Sequence, residues 1–260
     1  MEVNTLLSPR KQFTRVLVKL SGEALGAPTA SSCHTRNHSS ADGLLCHETM
    51  NFVAAQIAET IEKGVQIGMV IGGGNIFRGR QLVQDMNMAR RSADSIGMLS
   101  TVINAIAMAD ILRQNGVDAS VMTQNRLERV ALAYDREQAV EMMKSGKVVI
   151  FAGGLGMPYF TTDTAAAHRA VDTGCDVLIK ATKVDGVYSA DPRQDPEATR
   201  FEKLTYDEVL QRRLGVMDLT AVTLCRENGL DLLVLNMMEE GGILRASQGE
   251  TIGTLVSGGA

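Results

Sequence analysis

Tryptophan is absent from the 260 residues, aromatic side chains make up only 4%, and cysteine and histidine occur four times each. Each shortage closes off a class of function. With so few aromatics and a net charge of -4, the chain offers neither a stacking platform nor a broad basic face, and no nucleic-acid partner is expected. Cys33, Cys46, Cys175 and Cys225 form no CxxC pair and are too sparse for a disulfide scaffold, which points to reduced thiols in the cytoplasm. The opening "MEVNTLLSPRKQFT" lacks the apolar centre of a signal peptide. No later stretch is expected to reach the roughly 18 to 20 apolar residues that cross a bilayer, so no membrane partner is expected. Two common nucleotide motifs are missing as well. There is no GxxxxGK followed by Ser or Thr, and in "VIGGGNIFRG" the third glycine that a dinucleotide fingerprint needs after Gly72 and Gly74 is Phe77.

What is present suits a folded globular chain: 45% hydrophobic and 22% charged residues. At this length roughly three quarters of the unfolded surface can be buried, as one large domain or as two fused lobes. Short β-rich runs, "RVLVKL" (15–20), "VQIGMVI" (65–71), "ASVMT" (119–123), "KVVIFA" (147–152), "VLIKA" (177–181) and "LLVLN" (232–236), alternate with helical patterns. That rhythm predicts an α/β fold with a mainly parallel sheet. Met50, Val53, Ile57 and Ile61 fall at helical spacing, as do Ile96, Leu99, Ile103 and Ile106, and both faces are expected in the core. Thr205 and Glu208 have capping-box spacing, with Gly215 as the expected stop of that helix. Residues 26–43, rich in Ser, Thr, Gly and Ala, read as a surface loop. The nearby Cys33, His34, His38, Cys46 and His47 match no familiar zinc spacing. The Asp-Pro pairs after Tyr188 read as a stretch joining two lobes or covering a ligand.

Four strand ends carry glycines, hydroxyls and cations, and the carboxyl ends of parallel strands are where open α/β sheets bind ligands. Lys19 stands at the end of the first strand, before the Ser21-Gly22 turn, and Lys180 at the end of the fifth. The run at 72–74 is either a turn whose amides face an anion, with Arg78 as a bidentate donor, or a close strand-to-helix crossing. Gly153, Gly154 and Gly156 precede Thr161, Thr162 and Asp163 at an expected helix start, which offers free NH groups to an anion. Two lysines suit the spread charge of a migrating phosphoryl group. Asp163 beside phosphates must orient a lysine or hold Mg²⁺; its plainer role is a helix N-cap. His168 reads as a structural or surface residue, and the 14 methionines as core filler.

"VLVKLSGEALG", "VIGGGNIFRG", "GMPYFTTDTAA", "KATKVDGVYSADP" and "VMDLTAVTL" resemble, in order, the segments of the amino-acid kinase superfamily, and within it the bacterial uridylate (UMP) kinases, over residues 15–256. The resemblance implies a three-layer α/β/α sandwich with a mainly parallel central sheet. Residues 1–14 would form a tail, with an acceptor lobe over about 15–170 and an ATP lobe over about 171–260. It implies transfer of the γ-phosphoryl group of MgATP to UMP, giving UDP and ADP. Lys19, Lys180 and Asp163 would be catalytic. Lys19, Leu20, Ser21 and Gly22 would meet the ATP phosphates together with Gly74 and Arg78, while Thr182, Tyr188 and Asp191 would hold the nucleoside of ATP. Gly73, Gly74 and Arg78 would face the acceptor's phosphate and Asp94 its ribose. The loop Leu155, Gly156, Met157, Pro158, Tyr159, Phe160, Thr161 and Thr162 would take its base and phosphate. Mg²⁺ would come with the ATP phosphates and not through a protein site. Homohexamers, activation by GTP and inhibition by UTP also belong to what the resemblance implies.

The chain departs from the pattern in three places. Leu155 and Met157 replace a hydroxyl and an amide, Ser95-Ile96-Gly97 stands where the family commonly has His-Met-Gly, and arginines associated with a GTP pocket are missing near Ala109 and Ser120. Two alternatives stay open from the sequence: a phosphotransferase of the same type with another acceptor, and a non-catalytic nucleotide-binding sensor or storage protein of the same fold.

Overall fold

Alternation along each strand sets the layers. In the computed structural model, which describes residues 12–26, 43–192, 194–195, 197–250 and 252–258, Val16, Val18 and Leu20 enter one hydrophobic core while Leu17 enters a second on the opposite face of the sheet. The elements are β1 (Arg15–Leu20), α1 (Gly22–Leu25), α2 (His47–Glu62), β2 (Gln66–Ile71), α3 (Gly79–Met86), α4 (Arg90–Gln114), β3 (Ala119–Thr123), β4 (Leu132–Ala133), α5 (Arg136–Lys144), β5 (Val148–Ala152), α6 (Thr162–Asp172), β6 (Val177–Thr182), β7 (Val187–Tyr188), β8 (Arg200–Phe201), β9 (Lys203–Thr205), α7 (Tyr206–Gln211), α8 (Leu219–Glu227), β10 (Asp231–Asn236), α9 (Gly242–Ser247) and β11 (Thr254–Ser257).

Among the described residues, nine strands form one sheet in the order β4-β3-β5-β2-β1-β6-β10-β11-β9, and β7 pairs with β8 separately. Every pairing in the large sheet is parallel except β10 with β11. One core lies between the sheet and α2, α4 and α9; the other lies between the sheet and α5, α6, α7 and α8. This is the expected α/β/α sandwich. The chain winds outward in both directions from β1, so the topological switch point, where ligands enter such sheets, falls at the carboxyl ends of β1 and β6.

Several expectations need correction. The face of α2 bearing Met50, Val53 and Ile57 is buried, but on α4 Leu99, Ile103 and Ile106 are 53%, 51% and 42% exposed. That helix is apolar on two sides, and Val102, Ala105, Met108, Ala109 and Leu112 face the core instead. By length and hydropathy alone, 25 residues with a stretch of mean hydropathy 1.6, α4 also passes for a membrane span, contrary to the sequence reading. It is a layer helix packed on α2, α3 and β3. The capping box at Thr205 and Glu208 is formed, but its helix ends at Gln211, and Arg213, with φ 54°, takes the left-handed position expected of Gly215. Phe13 and Thr14, assigned to a tail, are tied by their amides to the Ser247 carbonyl (2.9 Å) and the Asp176 carboxylate (2.7 Å). Nearly all of the 26–43 loop, with Cys33, His34 and His38, lies outside the described residues.

Candidate active site

Lys19 and Lys180 are direct neighbours in the parallel register of β1 and β6. Because side chains alternate along a strand, both point to the face covered by α6, away from the core that takes Val18, Leu20, Ile179 and Ala181. The loop after β5 delivers the first turn of α6 onto this pair. Asp163 bridges them, one oxygen 2.7 Å from the Lys19 ammonium and the other 2.9 Å from that of Lys180. Lys180 also donates to the carbonyl of Val216.

Burial governs the charges. Desolvation alone would raise the pKa of Asp163, but Lys19 and then Lys180 override it and hold the carboxyl below its usual range. Burial pushes Lys180 down from the usual lysine value; Asp163 opposes that shift and Lys19 adds to it. The arrangement sets one acidic side chain between two basic ones at the switch point.

Two cavities flank the triad. The first, about 140 Å³, is lined by Gly73, Gly74, Asp94, Leu155, Phe160 and Thr162, among others. The second, about 620 Å³, is lined by Lys180, Thr182, Tyr188, Asp191, Arg213 and Val216, among others. The Asp-Pro stretch therefore borders a cavity, in keeping with a ligand-covering segment. Within it the Tyr188 hydroxyl donates to Asp185 (2.7 Å), and Thr182 Oγ1 accepts from the Val184 amide (3.0 Å).

Most of the expected site residues converge. Lys19, Asp163 and Lys180 meet directly; Gly73, Gly74, Asp94, Leu155, Met157, Phe160, Thr161 and Thr162 share the first cavity, and Thr182, Tyr188 and Asp191 share the second. Gly156, Pro158 and Tyr159 belong to the same loop without lining the cavity. Tyr159 adopts φ 73° and its amide donates to Asp94 (2.8 Å), whose carboxylate is also gripped by Arg90. Leu20 is an exception, since its side chain is buried in the core and only its backbone faces the turn, accepting from the Gly72 amide (2.9 Å). Arg78 is half exposed and paired with Glu23 at 2.7 Å, outside the lining of both cavities.

The glycine turns are explained first by the protein itself. A Cβ on Gly22 would lie 2.3 Å from the Gly72 carbonyl oxygen, and one on Gly73 would lie 2.7 Å from Ser100 Cβ on α4. The turn after β1 and the turn after β2 thus touch backbone to backbone, and this contact puts the crossing on the same residues that border the first cavity.

Other contributors were not singled out from the sequence. Asp218 caps α8 and accepts from the hydroxyls of Thr161 and Thr164, so it fixes the first turn of α6. Asn104, fully buried, donates to the Gly72 carbonyl (2.6 Å) and pairs amide to amide with Asn75. Thr101 accepts from the Gly153 amide (2.8 Å). Asp218 sits in "VMDLTAVTL", a quoted motif, but its partners are 54 and 57 positions away and no spacing rule connects them.

An α/β protein with cationic strand ends at its switch point and a cavity on either side is built to hold anionic ligands. Residues 14–236 match the amino acid kinase family, and the chain belongs to that family. It is 46% identical over 245 residues to a uridylate kinase of Ectopseudomonas mendocina (strain ymp), covering 94% of each chain. It is 45% identical over 246 residues to one of Parabacteroides distasonis, covering 94% of this chain and 98% of that protein. Among solved structures it is similar to a UMP kinase from Bacillus anthracis, with TM-score 0.85, 34% identity and coverage of 96% and 98%. One from Ureaplasma parvum gives TM-score 0.81, 33% identity and coverage of 95% and 99%.

Proposed function

We propose that this chain is a uridylate kinase that transfers the γ-phosphoryl group of ATP to UMP, giving UDP and ADP, as a soluble cytoplasmic enzyme of pyrimidine nucleotide synthesis. The observation that carries this reading is the Lys19–Asp163–Lys180 triad placed between two cavities. The larger cavity suits the nucleoside of ATP and the smaller one UMP. A phosphoryl group passing between them crosses the two ammonium groups, whose fixed charge matches the oxygens on which negative charge is carried. The attacking atom, a UMP phosphate oxygen, is already anionic, so no general base is required. Asp163 holds both lysines in place before substrate arrives and favours the charged form of Lys180, which removes reorganisation from the reacting step. Arg78 would leave Glu23 to meet a phosphate.

A divalent ion would enter this site as a companion of ATP. Asp163 is committed to two ammonium groups and Asp218 to two hydroxyls, and no group of three or more His, Cys, Asp or Glu side chains able to hold a metal occurs among the described residues. Mg²⁺ on the ATP phosphates would supply charge neutralisation and a polarised phosphoryl group. The family resemblance adds two finer parts to the proposal: a homohexamer, and a response to GTP as activator and UTP as inhibitor.

The test is a coupled ADP-release assay offering UMP, CMP, aspartate and carbamate in turn. Turnover is expected with UMP. Turnover confined to an amino acid or carbamate would overturn the acceptor, and ATP binding without any turnover would favour a sensor. In the same assay Lys180→Met should lower kcat far more than it weakens UMP binding, because the loss falls on the transition state.

A further inference from the structure

Arg169, on the third turn of α6, is 3% exposed and makes no ion pair among the described residues. Its guanidinium lies 3.5 Å from the centroid of the Tyr134 ring, and one terminal nitrogen donates to Gln124 Oε1 at 3.0 Å. Asp172, three residues on, accepts from the Tyr134 hydroxyl. Arg169 Nε has no hydrogen-bond partner among the described residues. Burial disfavours the charged guanidinium, Tyr134 and Asp172 offset this in part, and apolar side chains of similar volume often stabilise a fold as well as such a buried cation does.

The far side of Gln124 shows what the arrangement holds. A Cβ on Gly156 would fall 2.9 Å from Gln124 Cγ, so the loop backbone rests directly on the aliphatic part of this side chain. Asn125 closes the contact with a long hydrogen bond to the Gly156 carbonyl (3.4 Å). Gly153, Gly154, Gly156 and Tyr159 all have positive φ, a backbone that does not hold its shape by local preference and needs an external brace. Gln124 is itself exposed, and among the described residues its amide oxygen is fixed by the bond from Arg169.

We propose that Arg169 is a positioning residue for the acceptor loop: through Gln124 it sets the height of Gly156 and hence of Leu155 and Met157 over the smaller cavity. The inference rests on the reading of that cavity as the acceptor site, although its structural half does not. Because Arg169 is anchored in the helix whose first turn carries Asp163, it fixes the loop relative to the triad.

The experiment compares Arg169→Met, Gln124→Met and the double variant with wild type. Acceptor KM for UMP should rise about tenfold to a hundredfold, as expected for a slight misplacement of bound substrate, with ATP KM within about twofold of wild type. The double variant should be no worse than the poorer single variant, since both break one relay. Amide hydrogen exchange across residues 153–160 should speed up in both single variants without any nucleotide. Unchanged UMP KM, equal rises in both KM values, or additive losses would overturn the proposal. If Arg169→Met does not fold, Gln124→Met carries the same test at a surface position. If wild type turns over no UMP, the proposed function fails, while faster loop exchange still supports the brace and unchanged exchange overturns it.

Discussion

Asp163 concentrates the electrostatics of the site, since one carboxylate holds two lysines that would otherwise repel each other across adjacent strands. Asp163→Asn leaves two buried ammonium groups without a counter-ion, and breaking a buried pair in this way costs about 3 to 5 kcal/mol, which urea denaturation would measure. Its pH dependence follows from the directions of the shifts. Asp163 has a folded pKa below its unfolded value of about 3.9, so its stabilisation is complete above that value and is lost as pH falls through the folded one. The acid limb of Tm against pH should therefore be shallower in Asp163→Asn than in wild type. Lys180 runs the other way. Its folded pKa lies below the unfolded value of about 10.4, so the cost of burying the protonated side chain is complete below the folded value, shrinks as pH rises beyond it and is gone above the unfolded value. If Lys180 serves the transfer as proposed, kcat/KM, which reports the free enzyme, should show an alkaline limb below about pH 10.4, and a kcat/KM profile flat to that pH would contradict the role. At this scale the two lysines stood out in the sequence because cations at strand ends are a local pattern, whereas Asp163 stayed undecided between lysine orientation, Mg²⁺ and N-cap. The cap is in fact Thr161, and the carboxylate is free for the lysines.

The first turn of α6 is held by a hydroxyl with two tasks. Thr161 caps the helix and donates to Asp218, so Thr161→Ala removes a cap worth about 0.5 to 2 kcal/mol and also loosens the turn that carries Asp163. Thr205→Ala removes a comparable cap on α7, far from the triad in its contacts. Both variants should melt lower, but only Thr161→Ala should lose kcat; equal kinetics in the two would separate the cap from the site. The two glycine turns allow a second comparison. Gly22→Ala forces a Cβ to 2.3 Å from a carbonyl oxygen and should cost about 1 to 3 kcal/mol or more together with most turnover, whereas Gly215→Ala meets nothing within 4 Å and should be near neutral. The glycine run could be seen in the chain, but its reason could not. Whether a ligand or another turn approaches it depends on the pairing of β1 with β2, which brings Gly22 and Gly72 together across 50 positions.

Strand alternation made most of the whole-molecule architecture legible, because a strand buried on both faces is a dense apolar run that composition alone reveals: β1, β2, β3, β5, β6 and β10 all lie within a residue of their expected bounds. α4 defeated the same reasoning. Its apolar residues occupy two stripes, and periodicity cannot say which stripe meets the sheet; Val102, Ala105 and Met108 face inward on the side where Asn104 bonds Gly72, and Leu99, Ile103 and Ile106 are left exposed. Three large aliphatic side chains at spacings of four and three form a continuous stripe on a helix, and a stripe of this kind is costly to leave wet. If the proposed homohexamer forms, this stripe is where one copy would meet another. Ile103→Glu places a charge at its middle, so multi-angle light scattering should give a smaller assembly than wild type. Because residue 103 makes little contact with the core, the melting of the individual fold should hardly change once protein concentration is matched. An unchanged mass would put the subunit contact elsewhere on the molecule and leave the α4 stripe to be explained by the monomer alone.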